Sequence, residues 1–403
     1  MRHTGLEMSL RAARLAVAAV LLASAPAGAQ SAAGVRELDA RFQLVLDSLW
    51  EASQETDEIF PGATAAFVLP DGSVHAFSTG WSDVEAEVEM EPDMLMPSGS
   101  IGKTYVAATA ISMAQDGVLG LDDPISKWLG EEPWFDRLPN GDDITLRMLL
   151  NHSGGLIDHA FDSEPFLVDL AAMVEAGDAD AEMEPRELVR YALDQEPLFA
   201  AGQGFNYTDT GYIVIGLVIE KASGGNYYDE LRTRVLEPHG LADMTLPQDR
   251  RDAPRLAQGY GVISAQLFGT PEKVVGDDGR LAFHPGLEWT GGGLYNNSQA
   301  LARWARILYE GDAFEEPYLD ELLGSISRAG DKETYGLGVL IQDTPLGTTY
   351  GHSGFFPGYN SVMIYFPDQR VAVAMQINTD RSQFIRHGNT LAAVVLEAVR
   401  EAR

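Results

Sequence analysis

Strand patterns at both ends of the chain, with helical patterns between them, constrain the fold more than any other feature. Near the start, apolar runs at 63–69 and 73–79 flank Pro70-Asp71-Gly72, which is typical of a hairpin turn. Four further strands are predicted at 336–342, 348–354, 359–366 and 371–377. Because strands from both ends must bury their apolar faces together, the sequence predicts an antiparallel sheet built from both termini.

The predicted fold class is α/β of the α+β type, with this sheet flanked by helices and a mostly helical inserted subdomain. The α/β part covers about 30–119 and 286–403, and the helical part covers about 120–285. Helices are predicted at 30–58, 100–114, 298–309 and 390–400 from their apolar spacing. Ser298 is the expected N-cap of the third helix.

Residues 1–29 have the pattern of a secretory signal. Basic residues precede the apolar run 15–25, and Ala27-Gly28-Ala29 ends the segment. We expect cleavage after Ala29, leaving residues 30–403 as one domain that is periplasmic or secreted. Initiation at Met8 would give a more compact signal, and a retained N-terminal helix is the alternative.

Composition excludes several classes of function. The chain has 28 Lys and Arg against 60 Asp and Glu, a formal net charge of −32, and no Cys. Such a charge disfavours nucleic acid and a polybasic membrane attachment. Without Cys there can be no disulfide, thiolate nucleophile or Cys-type metal site. A small-molecule or peptide substrate is the expected partner, without a stable membrane anchor, and the oligomeric state stays open.

Two short motifs resemble known sites but fail in detail. The stretch from Pro97 to Thr104 has Pro97 where a phosphate-binding loop needs Gly, so the required turn and N–H donor are missing. The stretch Gly351-His352-Ser353-Gly354-Phe355 ends in Phe355 where a nucleophile elbow needs Gly, and it lies between strands. Nucleotide binding and a Ser353 nucleophile are therefore disfavoured.

Ser100 and Lys103 form a more plausible catalytic pair. They lie one turn apart at a predicted helix start, so their side chains share a face. A Ser hydroxyl becomes nucleophilic when a base takes its proton, and a buried Lys can be that base. Lys103 alone among the five Lys residues follows a Ser at this spacing. The competing interpretation is an exposed Lys on an ordinary helix.

Two later clusters complete a pattern. Tyr207 and Asp209 open an apolar helix, and His352-Ser353-Gly354 lies on a late strand. The order Ser-x-x-Lys, Tyr-x-Asp/Asn and Lys/His-x-Gly resembles the serine β-lactamase and penicillin-binding protein superfamily. The resemblance is greatest to its class C β-lactamase, D-alanyl-D-alanine carboxypeptidase and family VIII esterase branch. It extends over nearly the whole mature chain, including 117–125, 144–156 and 291–296.

The resemblance implies a serine hydrolase that needs no metal and no cofactor. It makes Ser100 the acylated nucleophile, Lys103 its proton acceptor, and Tyr207 the general base that also protonates the leaving group. The N–H groups of Ser100 and Phe355 would form the oxyanion hole. Asp209, His352, Ser353 and Gly354 would bind substrate. His152 and His159 do not have the spacing of an H-E-x-x-H metal site, and His152 is expected to be structural.

Two departures from the family pattern bear on function. Asp209 stands where the family usually has Asn, and an ionised Asp beside Lys103 would favour the ammonium form over the base. His352 stands where class C β-lactamases have Lys, and a neutral His binds a carboxylate less strongly. We therefore expect an exported serine hydrolase that acts on amide or ester bonds through a Ser100 acyl-enzyme, similar to D-alanyl-D-alanine carboxypeptidases and β-lactamases. Peptides of D-amino acids are preferred as substrates over β-lactams, and a family VIII-like carboxylesterase is the alternative. A catalytically impaired binding module is the alternative from another class.

Overall fold

The computed structural model describes residues 32–402 except 182, 250, 329–332 and 383. The predicted signal at 1–29 lies outside the described residues. Within these described residues there are twelve strands, which are β1 Gly62–Val68, β2 Val74–Asp83, β3 Val88–Glu89, β4 Met96–Pro97, β5 Thr245–Pro247, β6 Leu294–Asn296, β7 Ser327–Arg328, β8 Glu333–Tyr335, β9 Leu340–Thr344, β10 Gly347–Phe356, β11 Tyr359–Phe366 and β12 Val371–Ile377.

Thirteen α-helices occur in the described part of the chain, and most lie between β4 and β7. They are α1 Ala32–Ser53, α2 Gly102–Gln115, α3 Ser126–Leu129, α4 Leu146–Leu150, α5 Glu164–Ala176, α6 Pro185–Val189, α7 Asp209–Ser223, α8 Tyr227–Leu231, α9 Ile263–Phe268, α10 Trp289–Gly292, α11 Ser298–Tyr309, α12 Tyr318–Gly324 and α13 Phe384–Glu401.

The main sheet has nine strands in the order β3-β2-β1-β12-β11-β10-β9-β8-β7, and its neighbours are antiparallel. The pairing of β1 with β12 joins the two chain ends, with Ala63 opposite Ile377. A small second sheet has the order β4-β6-β5. The antiparallel sheet from both termini, flanked by helices, is confirmed. The division of the chain into two parts stays a prediction.

The central strands are buried on both faces, and their side chains alternate between two cores. In β1, Ala63, Ala65 and Phe67 pack with α1 and α13, whereas Ala66 and Val68 face the core that contains α2 and α7. This alternation is the two-residue period of a pleated strand. The sheet therefore separates a terminal-helix layer from the helical layer that carries the site.

Two local predictions were wrong. The N-cap of α11 is Asn297, whose side chain accepts from the N–H of Ala300 at 2.8 Å. Ser298 instead bonds to Thr64 of β1. The strand predicted from 336 begins only at Leu340, because residues 336–339 turn away from the ladder.

No helix in the described part of the chain combines the length and the apolar character needed to cross a bilayer.

Candidate active site

Ser100 lies in a single 3₁₀ turn, Gly99–Ile101, between β4 and α2. Gly99 has a φ of +53°, a conformation that suits glycine. The Ser100 hydroxyl is half-buried and accepts a hydrogen bond from Lys103 Nζ at 3.0 Å. The structure therefore brings together the pair predicted from the Ser-x-x-Lys spacing.

Lys103 is fully buried and has no contact with solvent. Its ammonium group also donates to the Asp209 carboxylate and to the carbonyl of Gly291. Burial lowers the pKa of Lys103, but attraction to Asp209, with further contributions from nearby groups, outweighs burial and leaves the pKa raised. Lys103 is therefore a cation at neutral pH, as expected if Asp209 approached it.

Tyr207 lies beside this pair, with its ring centroid 4.9 Å from Lys103 Nζ. Its hydroxyl oxygen is buried and makes no hydrogen bond of ordinary geometry among the described residues. Burial raises the pKa of Tyr207 to about 12, against the lowering effects of Lys103 and Ser100. The Tyr207 hydroxyl is thus neutral at rest.

Two further carboxyl groups, Asp158 and Glu288, surround the same centre. Asp158 accepts from the backbone N–H of Asp209 at 2.8 Å and so caps the start of α7. Burial, followed by repulsion from Asp209, raises the pKa of Asp158 to about 7 and that of Glu288 to about 8. Neither residue could be predicted from the sequence, because neither belongs to a motif and only the tertiary structure places them near Lys103.

The late strand β10 lies directly against the Ser100 turn. A Cβ atom on Gly99 would lie 2.3 to 2.7 Å from backbone atoms of Phe355, and one on Gly354 would lie 1.8 Å from the Ser98 carbonyl oxygen. Both positions therefore require glycine for the two backbones to approach. This contact places Phe355 beside Ser100, as the predicted oxyanion hole requires.

His352 is buried and held by two hydrogen bonds. Its Nδ1 lies 2.6 Å from the Ser353 carbonyl oxygen, and its Nε2 lies 2.9 Å from the Tyr335 hydroxyl. A carbonyl only accepts, so Nδ1 carries the proton and Nε2 accepts from Tyr335. Burial, aided by Lys103, lowers the pKa of His352 to about 3. His352 is therefore neutral and supplies no cation for a substrate carboxylate.

The other two histidines near the site have structural partners. His152 Nδ1 accepts from the backbone N–H of Thr208 at 3.1 Å, and its ring packs 4.3 Å from that of Tyr207. His159 Nδ1 lies 3.1 Å from the Thr210 hydroxyl. These contacts agree with a structural role for His152, since they hold the segment that presents Tyr207 and Asp209.

Comparisons with known proteins agree with this architecture. The profile of the Beta-lactamase family matches residues 48–397. Penicillin-binding protein 4* of Bacillus subtilis is 26% identical over 341 residues, covering 81% of this chain and 69% of that protein. Esterase EstB of Burkholderia gladioli is 28% identical over 187 residues, covering 45% of this chain and 46% of that protein.

Solved structures resemble the whole fold. A D-stereospecific amidohydrolase from Streptomyces sp. has a TM-score of 0.71 and 25% identity, covering 90% of this chain and 98% of that chain. The D-amino acid amidase of Ochrobactrum anthropi SV3 has a TM-score of 0.72 at 24% identity, covering 91% of this chain and 100% of that chain. The fold and the similar proteins together identify the class of protein as a serine hydrolase. The chain belongs to the Beta-lactamase family.

Proposed function

We propose that the protein hydrolyses amide or ester bonds through an acyl-enzyme on Ser100. The observation that carries this proposal is the convergence of Ser100, Lys103 and Tyr207 beside the backbone of Phe355. Ser100 Oγ would attack the substrate carbonyl carbon, and the N–H groups of Ser100 and Phe355 would stabilise the oxyanion. Water would then cleave the ester and restore Ser100.

We assign the proton transfer to Tyr207, with Lys103 in support. Because Asp209 holds Lys103 as an ammonium ion, Lys103 is a poor proton acceptor in the resting enzyme. The Lys103 charge lowers the pKa of Tyr207 and would stabilise the phenolate that forms when the Tyr207 hydroxyl loses its proton to solvent. This phenolate, the active form, would take the Ser100 proton. Tyr207 would then return this proton to the leaving group, so that the acylation step balances.

D-amino-acid peptides and amides are the proposed substrates. The similarity to the solved D-stereospecific amidohydrolase from Streptomyces sp. supports this choice. A neutral His352 argues against substrates that need a cation for a free carboxylate, such as a D-alanyl-D-alanine terminus or a β-lactam. A carboxylesterase is the second candidate, and it is favoured by the similarity to esterase EstB.

A substrate panel tests this proposal. We expect a D-amino-acid amide to have a kcat/KM at least about tenfold above that of a D-alanyl-D-alanine peptide or a chromogenic cephalosporin, since one lost charged contact costs about that much. Hydrolysis of short-chain nitrophenyl esters tests the carboxylesterase alternative. The L-amino-acid amide is the matched control for the D-amino-acid amide. Faster cleavage of the carboxylate-bearing substrates would contradict the assignment.

The pH dependence of the rate tests the role of Asp209. Since Asp209 raises the pKa of both Lys103 and Tyr207, either base should become easier to deprotonate in Asp209→Asn. We expect the wild-type kcat/KM to rise between about pH 7 and 10 and the variant's profile to move down by roughly one pH unit. At pH 7 this shift corresponds to about a tenfold faster variant.

The matched control for this profile is Asp136→Asn, which removes an exposed carboxylate in another part of the chain. Its pH profile should overlay the wild-type curve. A slower Asp209→Asn enzyme with an unmoved profile would show that Asp209 does not control the base.

Export is proposed with this function. The basic, apolar and small-residue pattern of 1–29 supports a cleaved signal and a mature protein that is periplasmic or secreted.

A further inference from the structure

A line of three aromatic rings leads away from the Ser100 turn. The Phe355 ring lies 6.4 Å from that of Phe268, and the Phe268 ring lies 5.8 Å from that of Phe161, measured between centroids. The three residues come from β10, from the end of α9 and from the loop after α4. We call Phe161, Phe268 and Phe355 the aromatic strip.

One end of the strip is open to solvent. Phe161 is 56% exposed, whereas Phe268 is buried and Phe355 is half-buried. Helix α9 adds Leu267, which is 55% exposed, and Ile263, which is 39% exposed and lies on the same helix face. The exposed Phe161 ring is continuous with the buried Phe268 ring, and such an apolar surface on a highly charged protein is a candidate binding surface.

The strip is held firmly beside the site. Asp380 is buried and accepts from three successive backbone N–H groups at the start of α9, Val262, Ile263 and Ser264, at 2.8 to 2.9 Å. The same carboxylate accepts from Gly358 in the turn that follows β10, at 3.3 Å. Helix α9 therefore keeps a defined position relative to the strand that contains Phe355.

The inner end of the strip coincides with the place where a substrate carbonyl would bind. The backbone of Phe355 packs against Gly99, next to Ser100, and in the proposed function its N–H binds the oxyanion of the transferred acyl group. A substituent on that acyl group would begin at the carbonyl carbon, near Phe355, and the strip would offer it an apolar path outward.

We propose that the aromatic strip is the subsite for an apolar acyl substituent, which is an aliphatic chain or aromatic side chain on the group transferred to Ser100. This inference rests on the proposed function, because it places the acyl carbonyl at Ser100 and Phe355. The group that occupies the strip is the acyl substituent of the substrate. Its transfer from water to the strip makes the enzyme select substrates by their acyl group. Each methylene that is fully buried would favour binding by about fourfold.

The test uses nitrophenyl esters of acetate, butyrate and octanoate, which share one leaving group and differ only in the acyl chain. We expect the wild-type kcat/KM to rise by about tenfold or more from acetate to octanoate, because the strip would bury part of each added methylene. Phe161→Ala should lower kcat/KM for octanoate by about fivefold or more and leave acetate unchanged. Phe161→Leu should restore most of the octanoate rate.

Leu267→Ala provides an independent variant on α9, with a smaller loss expected in the same direction. The matched control is Leu44→Ala, since Leu44 is 66% exposed on α1, across the sheet from the site. Equal rates for acetate and octanoate in the wild type, or an equal loss for both esters in Phe161→Ala, would overturn the inference. Acetate hydrolysis that survives in Ser100→Ala would instead overturn the proposed function.

Discussion

Ser100→Ala should abolish covalent labelling and lower turnover by at least about three orders of magnitude, because the attacking oxygen is removed while the rest of the site stays in place. Intact-protein mass spectrometry after incubation with activated esters or penicillins should show one acyl adduct on the wild type and none on the variant. Lys103 would lose only one of its three hydrogen-bond partners, so the variant is expected to fold.

Ser353→Ala is the matched control for this experiment. Ser353 is the other serine of a nucleophile-like sequence, but it lies within β10 and pairs with Val362 of β11. We expect this variant to keep its adduct. Loss of the adduct in Ser353→Ala alone would move the nucleophile to that strand. Absence of any adduct on the wild type would favour the binding module that Asp209 suggested.

Lys103→Met should lower turnover by at least about two orders of magnitude, and its effect on stability should depend on pH. Lys103 is the cation that faces Asp209, Asp158 and Glu288, and it lowers the pKa of Asp158 and Glu288. Without Lys103, the already raised pKa values of Asp158 and Glu288 would rise further in the folded protein, so both carboxyl groups would hold their protons to a higher pH than in the wild type. The folded state then holds more protons, so stability falls as pH rises.

The predicted fall in stability with rising pH can be measured from the melting temperature at two pH values. The melting temperature of Lys103→Met should be near that of the wild type at about pH 5 and fall below it by several degrees at about pH 8. Lys127→Met is the control, since Lys127 is 53% exposed in its pair with Asp123. A Lys103→Met protein with wild-type turnover, or with a melting temperature that shifts equally at both pH values, would contradict the assigned role.

Local patterns predicted the regular parts of the fold well. The strands 359–366 and 371–377 agree with β11 and β12 at both ends, because each is a continuous apolar run bounded by turn residues. The predictions failed where a tertiary contact competes with a local preference. Ser298 has the side chain of an N-cap, yet Thr64 of β1 binds it and Asn297 takes the cap.

The residues of the candidate site also separate into those that the sequence predicted and those that only the tertiary structure places. The spacing of Ser100 and Lys103 on one helix face already predicted their contact, and the structure gives a 3.0 Å hydrogen bond. Tyr207 and Phe355 were placed by resemblance, and folding brings both to the Ser100 turn. Asp158, Glu288 and Tyr335 could not be predicted, because they reach the site from separate segments whose approach depends on how the helices pack.

The sequence alone determined the sheet from both termini, the Ser100–Lys103 pair and the Beta-lactamase type of site, since these depend on apolar periodicity and on short spacings. The tertiary structure decided the protonation of the site. Whether Lys103 is a base or an ammonium ion, and whether His352 carries charge, depends on burial and on partners distant in the chain. Asp209 makes Lys103 a cation, and burial, aided by Lys103, keeps His352 neutral.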